Sequence, residues 1–205
     1  MSEITAHHDE HRDDEASKLG IWLFIFTELL FFGGLFVTYA VYRHAHPQAF
    51  HLAAGQLDVA VGTINTVILL ISSMTIAMAA TAIQKKDKRT TLLLIGITLL
   101  LALAFLVNKY FEWSIKIDHG IWPGSPLLEE LGRGDILFFG LYFFMTGVHA
   151  LHIIIGMVVL AVVLVRVWKD KITFDNFQLL ENGGLYWHMV DLIWIFLFPL
   201  FYLIT

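Results

Sequence analysis

Five long apolar runs leave this 205-residue chain few folds to choose from. Crossing about 30 Å of hydrocarbon takes roughly 20 helical residues. Runs of that length lie near 19–42, 57–83, 91–112, 136–167 and 185–204. In lipid, every backbone N–H and C=O must be bonded within its own segment, so each run is expected as a helix. The predicted fold class is an all-α membrane protein, a bundle of five transmembrane helices. Composition points the same way: 15% of residues are charged, against about 25% in a soluble domain. The fourth run exceeds a perpendicular span and is expected to tilt or to project beyond the bilayer.

The charges cluster between the runs and set an orientation. Arg12 and Lys18 precede the first run, Lys85, Lys86, Lys88 and Arg89 follow the second, and Arg166, Lys169 and Lys171 follow the fourth. The opposite side carries Arg43, Lys109, Lys116 and Arg133. Nine positive charges against four put the N-terminus in the cytoplasm and the C-terminus outside. Residues 1–17 are polar and acidic, unlike a cleavable signal peptide, and read as a disordered tail ahead of a helical domain over 18–205. His7, His8 and His11 in that tail could hold a metal ion weakly, though nothing there fixes a ligand geometry. The loops are too short for a soluble domain, no internal repeat is visible, and no basic patch suggests nucleic acid. Absence of cysteine removes disulfides, thiolate metal sites and cysteine nucleophiles.

Function must therefore come from ionisable groups inside the spans, which are rare in lipid and tend to mark a partner or a task. Glu28 lies about ten residues, or roughly 15 Å, into the first helix, near mid-membrane. Desolvation disfavours its charged form, so it reads either as a carboxyl that takes up and releases a proton or as one simply bonded to a neighbouring helix. His149 and His152 are spaced i, i+3 in TGVHALHIIIG, and His188 and Asp191 likewise in YWHMVDLIWIFLF, so each pair shares a helix face. A bis-histidine haem would need a ligand from a second helix, which His188 could supply; the competing reading is a hydrogen-bonded structural network. No third ligand completes a metal site. Glu112, with Lys109, Tyr110 and Trp113, reads as an interfacial anchor, and Asn65 as an amide bonding across helices. Ser73, Ala77 and Thr81 recur every four residues, a spacing that lets helices approach closely.

In chain order these pieces resemble subunit III of the haem–copper respiratory oxidases, whose best-known members are the cytochrome c oxidases. FIFTELLFFGGLF resembles the family's phenylalanine-rich helix with a carboxyl, matching Glu28. INTVILLISS, with Asn65 and Ser72, and YFEW, with Glu112, follow in the family's order. TGVHALHIIIG matches at His149, His152 and Gly156, and YWHMVDLIWIFLF at Trp187, His188, Asp191 and Trp194. The resemblance covers about residues 19–205 and is closest to a short five-helix bacterial form; many relatives have seven helices, with phospholipid in a cleft beside the first two.

The resemblance implies an accessory subunit, multi-pass in the bacterial cytoplasmic membrane, of an aerobic terminal oxidase that reduces O2 to water with proton translocation. It implies no redox centre, catalytic residue or metal on this chain, with haem and copper in partner subunits; phospholipid is a candidate ligand, although the first two helices that flank the family's lipid cleft have no counterpart in this sequence. Subunit I is the implied direct partner, with subunit II and the other oxidase subunits beyond it. Glu28 is then the proton-linked carboxyl. Asn65, Glu112, His149, His152, His188 and Asp191 form one intramembrane polar network, structural or lipid-proximal. The electron donor, cytochrome c or quinol, is not legible. An independent proton-coupled transporter is the alternative of another class.

Overall fold

The computed structural model describes the backbone of residues 2–204 and the side chains of residues 15–128 and 130–204. Among the described residues the regular elements are all helices, joined by short turns and loops, with one isolated bridge between Thr173 and Asn176. The seven helices are α1 (Ser2–Ala45), α2 (Pro47–Ala54), α3 (Val59–Gln84), α4 (Lys88–Asp118), α5 (Pro126–Leu131), α6 (Arg133–Trp168) and α7 (Gln178–Tyr202). Five of them, α1 from Glu15, α3, α4, α6 and α7, are long and apolar enough to cross a membrane. At about 1.5 Å per residue, the 36 residues of α6 reach about 54 Å, well beyond a hydrocarbon core.

The chain departs from its sequence reading at its start. Helix α1 runs back to Ser2, where residues 1–17 read as a disordered tail. Residues 2–19 contain neither proline nor glycine, so nothing local breaks a helix that lipid enforces further along. The histidines His7, His8 and His11 lie outside the described side chains. At the starts of α3 and α4 a side-chain cap sets the boundary. Asp58 caps α3, accepting from the N–H groups of Ala60 at 2.8 Å and Val61 at 3.2 Å. Asp87 caps α4 by accepting from the Thr90 N–H at 3.1 Å and hydroxyl at 2.6 Å.

Helices α3, α4, α6 and α7 close a four-membered ring in which each touches its two neighbours, α3 and α4 most extensively. Helix α1 lies outside the ring against α6 and α7, and of its described side chains it buries only the stripe Ile25, Phe32 and Tyr39. The Tyr39 hydroxyl donates to the carbonyl of Leu200, satisfying an orphan acceptor in the last turn of α7. Two tryptophans of α7 are tied to α3: Trp187 Nε1 donates to Ser72 Oγ and Trp194 Nε1 to Thr66 Oγ1, both at 3.0 Å. Gly156 on α6 makes room for the first of them. A Cβ there would lie 2.9 Å from the Trp187 ring.

The small-residue stripe does not seal a helix pair. Ser73 is half-buried and Ala77 and Thr81 are exposed, because the face of α3 packed on α4 and α7 is the one bearing Ser72, Thr75, Ile76, Ala79 and Ala82. Thr75 and Thr98 share a hydroxyl bond of 2.8 Å across the α3–α4 contact.

Candidate functional site

The intramembrane polar residues do not form one network; the fold sorts them into separate groups. The largest surrounds Glu112 in the C-terminal half of α4. Its Oε1 accepts from Tyr142 at 2.7 Å and Tyr202 at 2.6 Å, and its Oε2 from Lys109 Nζ at 3.0 Å. Lys109 also donates to both tyrosine hydroxyls, at 3.2 and 2.7 Å, and its ammonium lies 5.0 Å from the Trp194 ring centroid. Lys109 is 2% exposed and Glu112 6%, so this is a buried ion pair rather than an interfacial anchor. Such a pair survives burial only when its remaining hydrogen-bonding positions are filled, and here the two tyrosines fill them.

Glu28 belongs to a second group, between α1 and α6. Its Oε2 lies 3.0 Å from His152 Nε2, and His152 Nδ1 lies 2.8 Å from the Val148 carbonyl. A carbonyl only accepts, so Nδ1 carries a hydrogen. The 3.0 Å gap to Glu28 then holds one proton, either on the carboxyl with neutral imidazole or on the imidazole facing a carboxylate. Phe32 meets the His152 ring edge-on at 5.4 Å, and Tyr186 donates to the His152 carbonyl at 3.0 Å. The pair faces outward: Glu28 keeps 19% of its side-chain surface and His152 11%.

His149, one turn from His152, turns into the four-helix ring instead. It is fully buried, stacked on Trp194 with centroids 5.3 Å apart and edge-on to Phe105, and neither ring nitrogen has a hydrogen-bond partner. His188 Nδ1 is bonded to Ser73 Oγ at 2.6 Å. Asp191 is 3% exposed and neither of its carboxyl oxygens has a hydrogen-bond partner, with the Ser73 hydroxyl, bonded to His188, nearby. Asn65 accepts from Asn108 Nδ2 at 2.9 Å across α3 and α4. Among the described residues, no three of His, Asp or Glu converge as metal ligands.

The sequence reading placed Lys109 beside Glu112 but missed Tyr142, Tyr202, Thr66 and Asn108. Tyrosines inside apolar runs were the available signal, because a buried phenol needs a polar partner. Burial of Lys109 and Lys116 within α4 also removes two of the four positive charges assigned to the side opposite the N-terminus.

The fold and these groups define a polytopic membrane protein whose ionisable residues are held by side chains from several helices. Comparison with known proteins is specific about its relatives. Residues 2–205 match the family model of cytochrome c oxidase subunit III, and the chain belongs to that family, as a subunit III of haem–copper oxidases. It is 32% identical to the cytochrome c oxidase subunit 3 of Thermostichus vulcanus, across 97% of this chain and 92% of that protein. It is 28% identical to the cytochrome bo(3) ubiquinol oxidase subunit 3 of Pseudomonas aeruginosa, across 98% of this chain and 91% of the relative. A haem–copper oxidase subunit I+III of Aeropyrum pernix is 32% identical over 91% of this chain, which spans 22% of that longer protein.

Proposed function

We propose that this chain is the non-redox subunit III of an aerobic terminal oxidase in the bacterial cytoplasmic membrane. It packs against the haem-bearing subunit I and supports its stability and proton uptake while O2 is reduced to water with proton translocation. The fused subunit I+III relative supports a direct contact with subunit I. The charge imbalance supports a cytoplasmic N-terminus and an external C-terminus.

The observation that carries the functional reading is the Glu28–His152 pair, which shares one proton at 3.0 Å on an outward-facing surface of α1 and α6. Such a pair can accept or release a proton with little rearrangement. Replacing Glu28 by Gln in the intact oxidase should leave assembly unchanged and either reduce the number of turnovers before inactivation or weaken proton coupling. Unchanged lifetime, stability and proton stoichiometry would remove the proton-linked role.

Relatives named for cytochrome c and for ubiquinol support either donor for the complex. Native purification decides, through the copper content of the accompanying subunit II. Recovery of this chain alone, stable and colourless, would favour a proton-coupled transporter instead.

A further inference from the structure

The Asp191 carboxyl is buried with no hydrogen-bond partner at either oxygen, and neither the Glu112 group nor the Glu28 pair uses it. A carboxyl in that state is costly to keep in a membrane span, so its surroundings bear on what it does. The Ser73 hydroxyl of α3 stands beside it and is bonded to His188 Nδ1 at 2.6 Å. His188 is half-buried and lines a cavity of about 430 Å³ between α1, α3 and α7. At the end next to the start of α7, the cavity is lined by Lys18, Glu181 and Asn182. There Asn182 Nδ2 donates to Ser17 Oγ at 2.9 Å and holds α1 to α7. His188 lies seven residues further along α7, about 10 Å deeper into the span.

We propose that Asp191 is a second proton-holding site, reached from this cavity through His188 and Ser73. A proton from the cavity binds His188 Nε2. The hydrogen on Nδ1 passes to Ser73 Oγ, and the Ser73 hydroxyl hydrogen passes to the Asp191 carboxylate. Asp191 ends as a neutral acid, the serine hydroxyl is restored, and His188 is neutral with its hydrogen on Nε2. Its bare Nδ1 then accepts from Ser73, so the 2.6 Å contact serves before and after the transfer. Helix α3 has no ionisable residue from Val59 to Gln84, so Ser73 is the one α3 group beside the route able to pass a hydrogen between two acids. The other ionisable side chains of the mid-span packed on α7 are engaged elsewhere. Glu28 of α1 pairs with His152 of α6, and His149 stacks on Trp194. Lys18 of α1 and Glu181 of α7 stand at the cavity's entrance. The site is independent of the Glu28 reading.

The test is infrared spectroscopy of the intact oxidase, followed as H2O is replaced by D2O. The wild type should show the C=O stretch of a protonated carboxyl that is absent from Asp191→Asn. Asp191→Glu, which keeps the acid and moves the band, assigns it independently if the Asn variant fails to assemble. In Ser73→Ala and in His188→Gln the deuterium shift of this band should slow at least about a hundredfold, the low end of what a positioned acid or base contributes to proton transfer. Glu28→Gln should leave the band and its exchange unchanged. Absence of any carboxyl band assignable to Asp191 overturns the site, as does a band that never exchanges. Exchange equally fast in wild type, Ser73→Ala and His188→Gln overturns the route.

Discussion

Glu112 and Glu28 are both carboxyls within membrane spans, but the bundle treats them in opposite ways. Glu112 sits in the four-helix ring, 6% exposed, with three donors around its two oxygens and a lysine one turn away. Glu28 sits on the outer helix, hydrogen-bonded to one side chain, the histidine His152, with one proton between them. A carboxylate gripped by three donors, one of them a cation, is fixed in place and ties its helix to its neighbours. A carboxyl with one hydrogen-bond partner at the rim of the bundle is the one to which the proposed proton-linked role falls. The contrast follows from position, since the ring brings donors from α6 and α7 to Glu112 on α4, whereas Glu28 on the periphery finds its hydrogen-bond partner on α6.

The largest effect should come from breaking the group around Glu112. Lys109→Met leaves Glu112 and both phenols buried around an unpaired charge, and should cost about 3–5 kcal/mol in a detergent-denaturation assay. The double variant Lys109→Met, Glu112→Gln should recover much of that loss. Equal damage in single and double variants would mean that the pair matters only as packing. Next comes Gly156→Ala: its Cβ would meet the Trp187 ring at 2.9 Å and disturb the Ser72 bond. Overpacking of this kind should cost about 1–3 kcal/mol, with a shift in tryptophan fluorescence as the local sign.

Glu28→Gln should change the stability of the same preparation by less than about 1 kcal/mol, since a part-exposed pair contributes little. A loss as large as that of Lys109→Met would erase the distinction between the two sites. The smallest effect concerns the α4 cap, outside the spans. Hydrogen bonds from the Thr90 hydroxyl and N–H hold the Asp87 carboxyl below its ordinary value. A carboxyl depressed on folding contributes stability above its unfolded pKa, and that contribution is lost as pH falls through the folded value. Amide exchange in the first turn of α4 should therefore quicken in acid relative to the rest of the helix. Asp87→Ala should show the faster exchange already at neutral pH.

Much of the fold was legible because lipid is a simple solvent. A run of about twenty apolar residues has one economical solution there, and each of the five predicted runs is a helix. Helix ends were less legible, since caps such as Asp58 and Asp87 and extensions such as residues 113–118 of α4 depend on short-range bonds that hydropathy averages away. Spacing correctly placed His149 and His152 on one helix but not what each faces. Sixty degrees of rotation on α6 sends one to Trp194 and the other to Glu28. Asp191 was expected to hold neighbours in a network, yet its oxygens have no hydrogen-bond partner.

The sequence by itself determined that the chain spans a membrane five times, that it carries carboxyls and histidines within those spans, and which family it resembles. Those properties are local or additive along the chain, so they survive being read in one dimension. The tertiary structure alone decided that Glu112 is gripped by three donors and Glu28 is not, that His149 is idle while His152 is paired, and that His188 lines a cavity while Asp191 is shut in the core. Each of those outcomes depends on which helix lies opposite. In lipid that choice rests on close packing and interhelical hydrogen bonds, which leave little trace in any single segment.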